Sequence, residues 1–180
     1  MSLLDNIKDK MFGLERGIAD KVPGYSGYKQ KELRREADKL LRETIAKRMR
    51  TVKTQLDGLQ QDFISAGKFD LLDEVGSAAT QMQTFIDRVR TARYGYGGFF
   101  DAVRIKEEDL DRVYQFDTAL LDYAARLEAA VARAREELAG ENVRAQVLLL
   151  RDLAREANTT FDERTEVLNG TAEMGNQISQ

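Results

Sequence analysis

Apolar residues return at steps of mostly three and four along nearly the whole chain, the spacing of helices with one buried face. Leu3, Leu4, Ile7, Met11, Leu14, Ile18 and Val22 predict a first helix. Pro23-Gly24 ends it, because the residue before a proline avoids the α region. A seam from Leu33 through Ala37, Leu41, Ile45, Met49, Val52, Leu56, Leu59 and Phe63 predicts a second helix from about Tyr28 to Ala66, with Gly67 as its cap. Leu71, Leu72, Val75, Ala79, Met82, Phe85, Ile86 and Val89 predict a third, opened by Asp70 and closed near Tyr94. Residues 95–106 have no clear period. Glu107, Glu108 and Asp109 suit the first turn of a fourth helix, since acids favour the positive end of the helix dipole. Its seam is Leu110, Val113, Tyr114, Leu120, Leu121, Ala124, Leu127, Val131 and Leu138, and Gly140 breaks it. Asn142 can cap a fifth helix, with Val147, Leu150, Leu153, Ala154, Ala157, Phe161 and Leu168 inward. From Asn169 the chain turns polar.

A second helix of ~38 residues would be about 57 Å long at ~1.5 Å per residue. The short turns near Gly67 and Gly140 force neighbouring helices to reverse. The expected fold is therefore all-α: an elongated antiparallel bundle of four long helices in two hairpins, with a short additional N-terminal amphipathic helix. The expected divisions are that helix over 1–22, the bundle over 28–168 and a flexible tail over 169–180. Turn order also brings PGYSGY (Pro23–Tyr28) and RYGYGGFF (Arg93–Phe100) to one end as neighbours.

Charge sharpens that picture. Residues 29–53 hold ten Lys or Arg against four acids, and residues 101–122 hold seven acids against three bases. Facing each other, these runs would form interhelical ion pairs that help fix orientation. The net charge of −3 argues against nucleic acid as a partner, and the bases are interleaved with Glu32, Glu36, Asp38 and Glu43. No apolar run approaches the ~20 residues of a membrane span, and the N-terminus lacks the apolar core of a signal peptide. Cytoplasmic location is the expectation.

The composition also removes much chemistry. No cysteine means no thiol nucleophile, disulfide or thiolate metal site; no histidine removes the commonest general base and a frequent metal ligand. The glycines of GYGG follow a predicted helix rather than a strand and fit neither phosphate-loop pattern. They suit a chain reversal, with Phe99 and Phe100 closing the bundle end. Glu107 to Asp111, with Asp117, could hold a hard cation, but the spacing is not that of a calcium loop. No catalytic residue, metal or cofactor is assigned.

Two surfaces could carry function. Tyr25, Tyr28, Tyr94, Tyr96, Phe99 and Phe100 would form a partner-binding patch, since tyrosine gives large contact area at low entropy cost. Alternatively, Leu3, Leu4, Ile7, Met11 and Phe12 would place the first helix in a membrane surface. The layout of a short amphipathic helix ahead of a long hairpin resembles the bacterial phage-shock and ESCRT-type membrane-remodelling proteins. That resemblance implies peripheral membrane contact. Lys8, Lys10, Arg16 and Lys21 are, however, balanced by Asp5, Asp9, Glu15 and Asp20. The expected function is that of a non-catalytic scaffold or adaptor that binds a protein partner or itself, as a homo-oligomer. Peripheral membrane association is the alternative.

Overall fold

The computed structural model describes residues 3–92, 97–102 and 104–177, and the described backbone consists of helices and the turns that join them. In chain order the α-helices are α1 (Leu3–Ala19), α2 (Arg34–Ser65), α3 (Leu72–Thr91), α4 (Gly97–Asp101), α5 (Glu107–Glu136) and α6 (Val143–Gln177). Single 3-10 turns at Lys31–Leu33 and Phe69–Leu71 lead into α2 and α3.

The helix ends follow local chemistry. After α1 the amides of Asp20 and Val22 still donate to the carbonyls of Arg16 and Ile18. Pro23 and Gly24 then form a tight turn, closed by the Tyr25 amide on the Val22 carbonyl, with Gly24 at φ +80°. At the end of α2 the Lys68 amide donates to Phe63 and the Gly67 amide to Ile64, with Gly67 at φ +73°. This is the paired-bond terminator that glycine favours, where the sequence placed it.

Several boundaries differ from the periodicity. α2 begins at Arg34 rather than near Tyr28, because Gly27 takes φ +73° and Tyr28 turns into the core. Leu33 consequently lies outside the seam and is exposed. Ala78 takes the buried α3 position expected of the half-buried Ala79. Leu138 falls beyond the end of α5 and is half-buried. The aperiodic stretch contains the five-residue α4. The helical backbone of α6 continues past Asn169 to Gln177.

The chain forms two compact units. Unit 2 comprises Ile45–Val89 and Leu121–Thr159. Its core is the expected seam, including Met49, Leu56, Phe63, Met82, Phe85 and Leu150, all fully buried. Arg135 joins α5 to Asp62 of α2 at 3.0 Å, and Arg144 of α6 pairs with Asp70 beside the start of α3. Further along, Asn158 of α6 donates to the Gln81 carbonyl of α3 at 2.9 Å and accepts from Arg88 at 3.1 Å. Unit 1 comprises Met1–Thr44, Arg90–Leu120 and Thr160–Gln180. It contains both glycine–aromatic stretches and, among the described residues, all of the buried charged side chains.

Candidate functional site

Tyr28 is the centre of unit 1. Its amide donates to Tyr114 Oη at 2.8 Å, its hydroxyl to Asp117 Oδ2 at 2.7 Å, and its carbonyl accepts from Arg34 Nε at 2.7 Å. Arg34 also donates to the Ala102 carbonyl at 2.7 Å, so one buried guanidinium ties two connecting segments together. The Tyr28 ring stacks on Tyr114 with centroids 5.3 Å apart, and Tyr25, Phe99 and Phe100 surround it at 5.9, 6.3 and 6.0 Å. Gly27 is required at this approach: a Cβ there would lie 2.7 Å from Glu15 Oε1 and 2.8 Å from Tyr114 Oη. The three tyrosine hydroxyls are pushed above their ordinary value of 10.0, chiefly by burial.

Beneath Tyr28 lies a closed group of charges. Arg164 is fully buried. Its Nε donates to Asp117 Oδ1 at 2.6 Å, and its Nη2 to Asp38 Oδ1 at 2.9 Å and to Tyr28 Oη at 3.2 Å. Arg42 Nε donates to the other Asp38 oxygen at 2.7 Å. Two guanidinium groups thus face two carboxylates, and every carboxylate oxygen has a donor. Burial drives the Asp117 carboxyl above its usual 3.8, opposed by Arg164 and by the Tyr28 hydroxyl. Such a group specifies an arrangement: its desolvation offsets most of its attraction, but removing one member strands another in a medium that cannot solvate it.

The neighbourhood expected of PGYSGY and RYGYGGFF is present, since Tyr28 contacts both Phe99 and Phe100. The exposed aromatic patch is not formed by their described members. Tyr25, Tyr28, Phe99 and Phe100 are 8, 0, 0 and 3% exposed, because their rings pack on one another around the charged group. Tyr94 and Tyr96 lie outside the described residues. The two phenylalanines therefore close the interior, as the reversal in that stretch suggested.

α1 packs through its apolar stripe: Met11 and Ile18 are buried, as is Val22 just beyond its end. Lys8 and Lys10 pair with Glu107 and Asp111 of α5, each at 3.5 Å, and Glu15 accepts from Tyr114 Oη at 3.2 Å. Of the residues considered for membrane contact, Met11 is thus committed to the interior and Ile7 is half-buried. The side chains of Leu3 and Leu4 are not among those described. Phe12 remains 59% exposed, with Lys29 5.5 Å above its ring. It borders a groove of about 580 Å³ whose apolar surface comes from Met11, Phe12, Ile105 and Leu110. Lys8, Lys29, Arg34 and Arg104 line it against Asp9 and Glu107.

The two charged runs meet in part. Arg35 binds Asp101 at 2.8 Å, but Glu107 and Asp111 turn to α1 and Asp117 to α6. Asp117 is therefore an ion-pair partner instead of completing a cation site with Glu107–Asp111. Among the described residues no three His, Cys, Asp or Glu gather as a metal site would require, and no helix is long and apolar enough to cross a membrane. Comparison with known proteins finds no match to any family model, curated protein or solved structure.

Sequence reasoning passed over Arg164. The signal was present: Arg164 stands three residues after Phe161 and four before Leu168, on the buried seam of α6. Asp117 holds the matching position in α5, between Val113 and Leu120–Leu121. A base and an acid each interrupting an apolar seam announce one buried pair.

Proposed function

We propose that the chain is a non-catalytic interaction protein whose four long helices, α2, α3, α5 and α6, are arranged as two antiparallel hairpins. It binds an acidic, amphipathic segment of a protein partner in the groove beside α1. The observation that carries this is Phe12, a large aromatic side chain held 59% exposed at an apolar groove with four cations on its lining. Exposed aromatics at apolar, cation-rimmed grooves are the usual anchors for amphipathic helices of opposite charge. The elaborate polar chemistry supports the same view, because Tyr28, Asp38, Asp117 and Arg164 are engaged with one another inside unit 1. The groove is lined by Lys29, next to PGYSGY, and by Arg104 and Ile105, just after RYGYGGFF, which supports a partner surface beside those two stretches.

A labelled helical peptide of alternating glutamate and leucine faces tests this. Saturable binding to the full chain is expected, with at least a tenfold loss in Phe12→Asp, about the value of one well-placed aromatic anchor. Binding that is absent, or equal in Phe12→Asp, refutes the proposal. Light scattering across a concentration series reports whether a second copy of the chain competes for the groove. The peripheral membrane reading is favoured by the flanking of Phe12 by Lys8 and Lys29. It requires co-sedimentation with phosphatidylserine vesicles that Phe12→Asp abolishes.

A further inference from the structure

A second opening in unit 1 has a different chemistry. A pocket of about 410 Å³ lies where α2 meets the last turn of α3 and Phe100 of α4. Arg35, Lys39, Arg42 and Arg90 converge on it, against the acids Asp38 and Glu43. Asp38 is a weak counterweight. One of its oxygens is taken by Arg164 and the other by Arg42, so a single negative charge is divided between two buried guanidinium groups. Arg35 is drawn towards Asp101 at 2.8 Å, but that pair is more than half exposed and yields readily to a competing anion. Among the described residues neither Lys39 nor Arg90 has an ion-pair partner.

The cations differ in how firmly they are held. Arg42 is 6% exposed and fixed by its bond to Asp38, whereas Arg35, Lys39 and Arg90 are at the surface. One preorganised guanidinium at the inner wall and three exposed cations around it suit a tetrahedral oxyanion, which offers several acceptors at once. The volume lies in the range of small-molecule sites and exceeds what a single oxyanion needs. Phe100 gives the remaining space an apolar wall. We infer that this pocket binds a small organic phosphate, with its phosphate among Arg35, Lys39, Arg42 and Arg90 and its apolar body against Phe100. This site shares no residue with the groove beside α1 and stands or falls independently of the partner proposed there.

Isothermal titration of the full chain with phenyl phosphate, inorganic phosphate and potassium chloride at matched ionic strength tests the inference. Lys39→Glu and Arg90→Glu change exposed side chains, so their folding is confirmed by circular dichroism and by thermal midpoint in chloride. Phenyl phosphate should bind saturably and more tightly than inorganic phosphate, and raise the thermal midpoint with the logarithm of its concentration above the Kd. Each reversal of charge should weaken it about tenfold or more. Lys47→Glu, which alters a cation of α2 that does not line the pocket, should leave binding unchanged. Absence of saturable binding overturns the inference. So does binding that survives both charge reversals, equal stabilisation by chloride, or phenyl phosphate binding no better than inorganic phosphate.

Discussion

Replacing Arg164 with methionine removes a fully buried cation while roughly keeping its volume. Asp38 still has Arg42 at 2.7 Å, but Asp117 is left with only the Tyr28 hydroxyl. Stranding one partner of a buried pair costs about 3–5 kcal/mol, a large part of the ~5–15 kcal/mol that holds a domain folded. For a chain of this length each kcal/mol moves the thermal midpoint by about 2–4 °C, which gives a fall of roughly 6–20 °C. Urea unfolding followed by circular dichroism measures the loss. Adding Asp117→Asn removes the stranded charge but keeps an acceptor for Tyr28, so Arg164→Met with Asp117→Asn should be more stable than Arg164→Met alone. The sign with pH is set by burial, which already raises the Asp117 carboxyl and raises it further once Arg164 is gone. A raised folded-state value means stability that is present below the unfolded value of 3.8 and lost as pH rises through the folded one. The cost of Arg164→Met is therefore greatest at neutral pH and shrinks on acidification. A loss below ~1 kcal/mol that is flat with pH and not relieved by Asp117→Asn would refute a structural role for the charged group.

Two further outcomes follow from the same core. Tyr25, Tyr28 and Tyr114 are all held protonated above 10.0, whereas the unfolded chain ionises there. Their stabilising contribution is complete below pH 10 and declines above it, with a slope of up to about 4 kcal/mol per pH unit for three protons. Alkaline titration should show these tyrosines ionising together with loss of helicity; ionisation without unfolding counts against their burial. Gly27→Ala should destabilise by more than Gly67→Ala, although both glycines have φ +73°. At Gly67 a Cβ meets open space and the cost is the backbone's ~1 kcal/mol, whereas at Gly27 it collides with Glu15 and Tyr114. Equal midpoints in the two variants would show that the Tyr28 loop adapts freely.

The long helices were readable because a seam such as Ile45–Met49–Val52–Leu56 repeats one local fact many times. Their turns were readable because Pro23, Gly24 and Gly67 each impose a backbone geometry by themselves. What the sequence could not disclose was a choice between environments. Tyr28 carries a hydroxyl that suits a wet surface or a satisfied interior, and only Asp117 and Arg164, 89 and 136 residues away, decide which. The same holds for α1, whose apolar stripe would fit a lipid surface as well as α5 until Lys8 and Lys10 meet Glu107 and Asp111. Composition indicated where charge was plentiful but not that four charges would gather inside. That information lay in the positions where Asp117 and Arg164 interrupt an apolar seam.

The spacing of the buried group along the chain bears on the order in which the molecule assembles. Unit 2 draws on two stretches, each made of two helix segments joined by a turn of a few residues. Unit 1 needs three, and its pairs Asp38–Arg164 and Asp117–Arg164 span 126 and 47 residues. Contacts so remote in sequence carry a large loop-closure cost and slow folding. On the ribosome both aspartates emerge well before their arginine, and unit 1 has no dry interior to offer Tyr28 until then. Folding is thus expected to finish with Arg164 docking between Asp38 and Asp117, and a released chain truncated before residue 164 should expose Tyr28 to proteases while unit 2, which ends at Thr159, is already protected.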